Sequence, residues 1–295
     1  MIKGAVIGLG KMGLSHAAIV GAHPEVELVS VCDTSSLILD GFKKFTQVRT
    51  YSDYRKMIDE MLPDFVVVAT PTKFHYQMVK YAIDKGLHVF CEKPIDLDLA
   101  RIDRVLEAVR ANGVTFQVGF NRRFDPSFAR ARELVASGEL GTPQIVRITS
   151  RDPAPPPIDY VRVSGGLFLD MAIHDLDMAR FLIGQDALDI YATGAVLVDP
   201  AIGAAGDIDT ALTTLRFAGG ALGSIDNSRR AVYGYDQRVE VLGSQGGIST
   251  ANLYPNQVTF SSAKAVYRDL PLNFFMERYT ASYIAEIQAF IRATV

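Results

Sequence analysis

The sequence predicts an α/β chain in two parts: a doubly wound, parallel-sheet domain of the Rossmann type followed by an α/β domain with an open, mostly antiparallel sheet. Three observations carry this. Short apolar runs rich in Val, Ile and Phe alternate with helical patterns over the first 120 residues. A glycine-rich turn sits between the first such run and the first helix. Beyond residue 120 the runs become alternating strands separated by short glycine turns. At 295 residues the chain exceeds the usual size of one domain.

In the first part, "IKGAVIGL", "VELVSVCD", "DFVVVAT", "LHVFCEKP" and "VTFQVGF" read as strands. Their nearly continuous hydrophobicity suits strands covered by helices on both faces. "YSDYRKMIDEML" and "HYQMVKYAIDKG" carry helical spacing, the second stopping at Gly86. The second part opens near Asn121. "FDPSFARARELVASGEL" reads as a helix, "PQIVRITSRD" as a strand and the proline-rich "DPAPPPIDY" as a loop. "GGLFLDMAIHDLDMARFLIG" is an amphipathic helix with Asp170, His174 and Asp177 on one face. "DIYATGAVLVD", "DTALTTLRF", "ALGSIDNSRR" and "QRVEVLGSQGGIST" then read as antiparallel strands. The expected boundaries are 1–120 for a dinucleotide-binding domain and 121–295 for a substrate-binding and oligomerisation domain.

A net charge of −3, with 30 basic against 33 acidic residues, offers no stripe to neutralise phosphates and argues against nucleic acid as a partner. No apolar run reaches membrane-spanning length and no signal-like segment opens the chain, so no membrane partner is expected. Cys32 and Cys91 follow no pairing pattern and read as core residues of a reducing, cytoplasmic compartment.

Gly8, Gly10 and Gly13 form G-x-G-x-x-G, with Lys11 and Met12 between them. The first glycine allows the tight turn, the second lets a pyrophosphate approach the backbone, and the third lets helix and strand pack closely. Asp33 ends the second strand about twenty residues later, where a carboxylate binds ribose hydroxyls and repels a 2′-phosphate; the expected cofactor is therefore NAD. Thr70, Pro71, His75, Glu92 and Lys93 follow the third and fourth apolar runs, where strand ends line the ligand crevice. His75 suits a structural role as well as a cofactor contact.

The Asp170, His174 and Asp177 stripe admits three readings. It could be a solvated face or a metal site, although no His-rich or Cys-rich cluster supports a metal. It could also be a proton-transfer site, which fits the cofactor. Oxidising a secondary alcohol requires a base beside the hydride acceptor, and imidazole titrates near working pH. Asp170, one turn before His174, can orient the ring, and Lys93 can stabilise developing alkoxide charge. Asp177 is expected to pair with Arg180 or cap a neighbour. Asn121, Arg122, Arg123, Asp125, Asp152, Tyr160 and Tyr235 are the candidates for holding a polyol, with Arg123, Asp152, Tyr160 and Tyr235 retained as substrate contacts.

In order, "AVIGLGKMGLSHA", "ATPTKFH", "FCEKPI" and "QVGFNRRFD" resemble the Gfo/Idh/MocA oxidoreductases. "SRDPAPPPIDYVRVSGGLFLDMAIHDLDMARFL" is similar to their inositol 2-dehydrogenase branch. The resemblance implies a Rossmann domain, a second domain whose open sheet forms a homodimer or homotetramer interface, and a catalytic trio at Lys93, Asp170 and His174. It implies NAD-dependent oxidation of a ring hydroxyl of inositol or a related cyclic sugar. The alternatives are a dinucleotide-binding sensor of the same fold and an epimerase that recycles its NAD. Thr72 stands where relatives often carry Asn. Relatives usually continue a few dozen residues past "YIAEIQAF" into a helix that packs toward the first domain, whereas this sequence stops at Val295.

Overall fold

The structure, a computed structural model, describes residues 1–294. It divides into two compact units, one of Met1–Phe120 with the residues from Tyr283 onward, the other of Asn121–Ser282. The last segment thus packs with the first unit, whereas the expected second domain ran to residue 295.

In the first unit β1 (Ile2–Ile7), α1 (Lys11–Ala22), β2 (Val26–Cys32), α2 (Ser36–Phe45), β3 (Arg49–Tyr51), α3 (Tyr54–Met61), β4 (Phe65–Val68), α4 (His75–Asp84), β5 (His88–Cys91), α5 (Leu99–Asn112) and β6 (Phe116–Val118) follow in turn. The strands form one six-stranded sheet ordered β3-β2-β1-β4-β5-β6, parallel at every pairing. All five expected strands are present. The additional β3 is a three-residue edge strand, too short to show as an apolar run. Strand order reverses between β1 and β4, which opens the crevice at their C-terminal ends. Asp53 and Asp98 start α3 and α5 by accepting backbone N–H groups of the first turn.

Helices cover both faces of this sheet. On one, Met57, Ile58, Val79, Ile83 and Val105 pack against Ala5, Ile7, Val66, Val68, Val89 and Cys91. On the other, Ala17, Val20 and Leu39 are joined over Val6, Phe65, Val67 and Phe90 by Ile287, Phe290 and Ile291 of the C-terminal helix. A parallel sheet must be covered on both sides, and these apolar side chains complete the second cover. Cys32 and Cys91 are free and buried; burial pushes the Cys32 thiol up to about 12 and that of Cys91 up as well.

The second unit runs through α6 (Pro126–Ala136), β7 (Pro143–Arg151), α7 (Ile158–Ser164), α8 (Ile173–Ile183), β8 (Ala187–Ala195), α9 (Pro200–Ala204), β9 (Thr210–Phe217), β10 (Leu222–Ser228), β11 (Asp236–Gly243), β12 (Gly247–Ser249), the hairpin β13 (Thr259–Ser261) and β14 (Val266–Arg268), and α10 (Phe275–Arg278). It leads into α11 (Thr280–Thr294). Its main sheet is ordered β12-β11-β7-β10-β9-β8. All its pairings are antiparallel except β10 with β7. β10 and β11, consecutive in sequence, are therefore not neighbours, because β7 lies between them. The proline-rich stretch read as a loop gives way at Ile158 to α7, which has Pro157 as its N-cap. The alternating burial of β9 and β11 leaves one face of the sheet exposed.

Candidate active site

The first unit presents a turn built for a dinucleotide. Gly8 has φ +91°, and a Cβ there would stand 2.7 Å from the Ala69 carbonyl oxygen. A Cβ on Gly13 would stand 1.8 Å from the Gly8 carbonyl oxygen, so only glycine allows α1 to start this close to β1. At Gly10, the N-cap of α1, the same position meets nothing within 4 Å. That leaves open space at the start of α1, where the N–H groups of a helix's first turn favour phosphate. Asp33 accepts the Leu9 N–H at 2.6 Å on one oxygen and the Ser35 N–H at 2.8 Å on the other. Each oxygen keeps a lone pair for a ribose hydroxyl. The turn, the helix start and this carboxylate fit NAD.

His75 is buried, with Nδ1 2.8 Å from the Pro94 carbonyl oxygen and Nε2 2.7 Å from that of Thr70. Both ring nitrogens are thus used within the protein, and His75 ties the loop after β4, with Thr70 and Pro71, to the loop carrying Lys93. These contacts give it the structural role that its position also suited. Glu92 likewise turns inward, its Oε1 2.7 Å from Nε2 of the buried His16. The Lys93–Pro94 peptide is cis.

The second unit carries Asp170 and His174. The expected single helix over 165–184 starts with a π turn at Phe168–Ala172, which holds Asp170, and continues as α8, which holds His174. Single π turns of this sort are common at functional sites. Asp170 accepts the Tyr160 hydroxyl at 2.8 Å and Arg229 Nη2 at 3.0 Å. Arg229 also donates from Nη1 to Asp152 at 3.3 Å. Asp152, Tyr160 and Asp170 are therefore brought together, through an arginine that sequence reasoning missed. Burial, together with the charge of Asp170, pushes the Asp152 carboxyl up against the pull of Arg229, and pushes the Tyr160 phenol up as well. His174 is half-buried, with its Nδ1 turned inside.

Three expectations change here. Asp177 does not pair with Arg180; it receives Nε and Nη2 of Arg123 at 2.8 and 2.5 Å, while Arg180 bonds Asp186. Arg123, expected to touch substrate, spends its fork on that ion pair and lies over the Phe181 ring. Tyr235 is 7% exposed and packs edge-on against Tyr279, so it is a core residue and not an open loop contact. Among the other "NRRFD" residues, Asp125 caps α6 and pairs with Arg278, and Arg122 pairs with Asp175. Asn227 donates to the second Asp175 oxygen at 2.8 Å. Asp175 lies on the apolar stripe with Met171, Met178, Ala179 and Leu182, and a carboxylate there signals a buried partner from sequence alone. Arg229 gives no such signal, because its two partners come from distant segments.

Among the described residues no group of three or more His, Cys, Asp or Glu could hold a metal ion, and no helix is long and apolar enough to cross a membrane.

The description "Oxidoreductase family, NAD-binding Rossmann fold" matches residues 2–120, and "GFO/IDH/MocA C-terminal domain" matches residues 128–249. Over 288 residues the chain is 46% identical to myo-inositol 2-dehydrogenase of Thermotoga maritima, covering 97% of this chain and 86% of the relative. An uncharacterised oxidoreductase of Bacillus subtilis is 46% identical over 289 residues, with 98% and 85% covered. A crystal structure of scyllo-inositol dehydrogenase from Lactobacillus casei with bound NAD(H) and scyllo-inositol is similar with a TM-score of 0.91 at 30% identity, covering 99% of this chain and 88% of that one.

Proposed function

The chain belongs to the Gfo/Idh/MocA oxidoreductase family as an NAD-binding oxidoreductase homologous to inositol 2-dehydrogenases, and within that class we propose that it oxidises one ring hydroxyl of inositol, or of a closely related cyclic sugar, to a ketone. NAD, when bound, supplies the hydride acceptor. The Gly8–Gly13 turn and Asp33 hold it. His174 takes the hydroxyl proton on Nε2, the ring nitrogen opposite the buried Nδ1. Asp170 orients that imidazole and favours its protonated form. Lys93 donates to the reacting oxygen and stabilises alkoxide charge as the C–H bond weakens. The Asp152 carboxylate and the Tyr160 oxygen accept hydrogen bonds from neighbouring hydroxyls of the ring.

The observation that carries this reading is the fixed carboxylate of Asp170, held from two sides one turn before a half-buried histidine. The names of the relatives support the substrate class. The test is the NADH absorbance band with purified protein, NAD and a panel of inositols and aldoses. NADH forms with at least one cyclitol, and His174→Ala loses turnover by about two to four orders of magnitude while its NAD affinity stays unchanged. A variant that loses NAD binding instead contradicts the role of His174. Bound NAD without turnover across the panel moves the protein to recycled-cofactor or sensor chemistry.

Two further readings belong with this one. The exposed face of the second sheet, with Leu212, Leu222, Leu242 and Tyr191, supports a homodimer or homotetramer built through it. Two buried free thiols suit the cytoplasm.

A further inference from the structure

Arg229 follows directly after β10 and is 3% exposed. Its backbone N–H donates to the Asp209 carbonyl at 2.8 Å, so its starting point is fixed by the sheet. Its guanidinium then bridges Asp152 Oδ2 and Asp170 Oδ2 at 3.3 and 3.0 Å. Asp152 is fixed as firmly, its N–H donating to the Ser228 carbonyl at 2.9 Å and its carbonyl accepting the Ala231 N–H at 2.6 Å. One buried cation therefore serves two carboxylates on rigid supports. Two carboxylates close together in a dry setting without a cation share a proton, because they cannot both stay ionised.

We propose that Arg229 is a positioning residue of the reaction: by standing between Asp152 and Asp170 it keeps Asp170 a carboxylate, fixed one helical turn before His174. The inference rests on the roles given above to Asp170 and His174. Among the groups around Asp170 are the Tyr160 hydroxyl from α7, Arg229 from the end of β10, Asp152 from the end of β7, and His174 one turn further along its own helix. Arg122, whose charge acts on Asp152, comes from the turn at Asn121–Phe124. Neither Tyr160 nor Arg122 replaces Arg229. Tyr160 is neutral, and Arg122 is already bonded to Asp175.

The pH profile of kcat/KM separates this role from mere support of the fold. In Arg229→Met the pair takes up a proton, so the acid limb moves up by about one pH unit, a tenfold loss at its foot. The loss falls on kcat more than on KM. Adding Asp152→Asn removes the competing carboxylate, and the limb of the double variant returns to the wild-type position whatever the height of its plateau. NAD affinity, set by the first unit, is unchanged in both. A limb that stays in place in Arg229→Met, or moves equally in the single and double variants, overturns the proposal. If Arg229→Met does not fold, Arg229→Lys carries the test. The charge is kept and the fork lost, so kcat falls several-fold with the limb in place; a moved limb overturns the proposal. Should wild-type protein oxidise no cyclitol or aldose, the reaction assigned above fails by itself. The ionisation is then read from the side-chain carboxyl carbon shift of Asp170 in 13C-aspartate-labelled wild-type and Arg229→Lys protein, and from Arg229→Met where it folds. A protonation midpoint unchanged in Arg229→Met, or moved in Arg229→Lys, overturns the proposal without any activity assay.

Discussion

Two buried acids show how differently single residues can be accommodated. Asp175 is fully buried, and burial pushes its carboxyl up on balance, against the pull of Arg122 and Asn227, which bond its two oxygens. Glu286, on α11, is also fully buried, but neither carboxyl oxygen has a hydrogen-bond partner. Burial first, and then the charge of Glu92, push its carboxyl well above the usual range, so it folds as the neutral acid. The unfolded chain ionises Glu286 above about pH 4.3 while the folded chain does not. Its contribution to stability is therefore complete below that pH and is lost as pH rises toward the folded value, by up to about 1.4 kcal/mol per pH unit. Glu286→Gln lacks this titration. In urea unfolding at pH 5, 6.5 and 8, the variant gains on the wild type as pH rises; a constant difference would show that Glu286 is charged in the fold. Both acids sit on apolar helical stripes, so sequence alone marks them as buried. Which of the two receives a cation depends on segments far away in the chain.

At the scale of elements, the glycine turn was legible because its requirement is local. A side chain at Gly13 collides with the backbone of the same turn, so the spacing of three glycines states the geometry. The helix over 165–184 was legible as a helix, but not its π turn, and the extra backbone step redirects the residues that follow. Asp177 and Arg180 share the regular part of that helix, yet each is bonded outside it, Asp177 to Arg123 and Arg180 to Asp186. The end of the chain shows the limit of local reading most plainly. Phe290 of α11 meets Phe65 and Phe90 edge-on, with ring centres at 5.4 and 5.9 Å, inside the first unit. Phe290→Ala is expected to cost about 3–5 kcal/mol, measured as a lowered denaturation midpoint that NAD at saturation partly restores. A loss below 1 kcal/mol, on the order of a surface substitution, would remove α11 from the core of the NAD-binding unit.

At the scale of the whole molecule, the second sheet carries an open apolar face. Leu242, Ile145 and Leu222 lie side by side across β11, β7 and β10. Leu222 is 54% exposed, so Leu222→Glu changes folding stability by no more than about 0.5 kcal/mol, whereas in an oligomer joined through this face it buries an unpaired charge. Sedimentation is expected to show the variant as a monomer and the wild type as a dimer or tetramer; equal masses would place any interface elsewhere. By itself the sequence determined the doubly wound first unit, its NAD turn and the mostly antiparallel second sheet. Each of these follows from period, glycine spacing or residue chemistry, which act over a few positions. Only the tertiary structure decided that β7 separates β10 from β11, that α11 joins the first unit, that Tyr235 is buried and Arg123 pairs with Asp177, and that Arg229 binds Asp152 and Asp170 together. Those outcomes rest on which distant side chains share one buried space, where an ion pair forms only between groups the fold has already brought within about 4 Å.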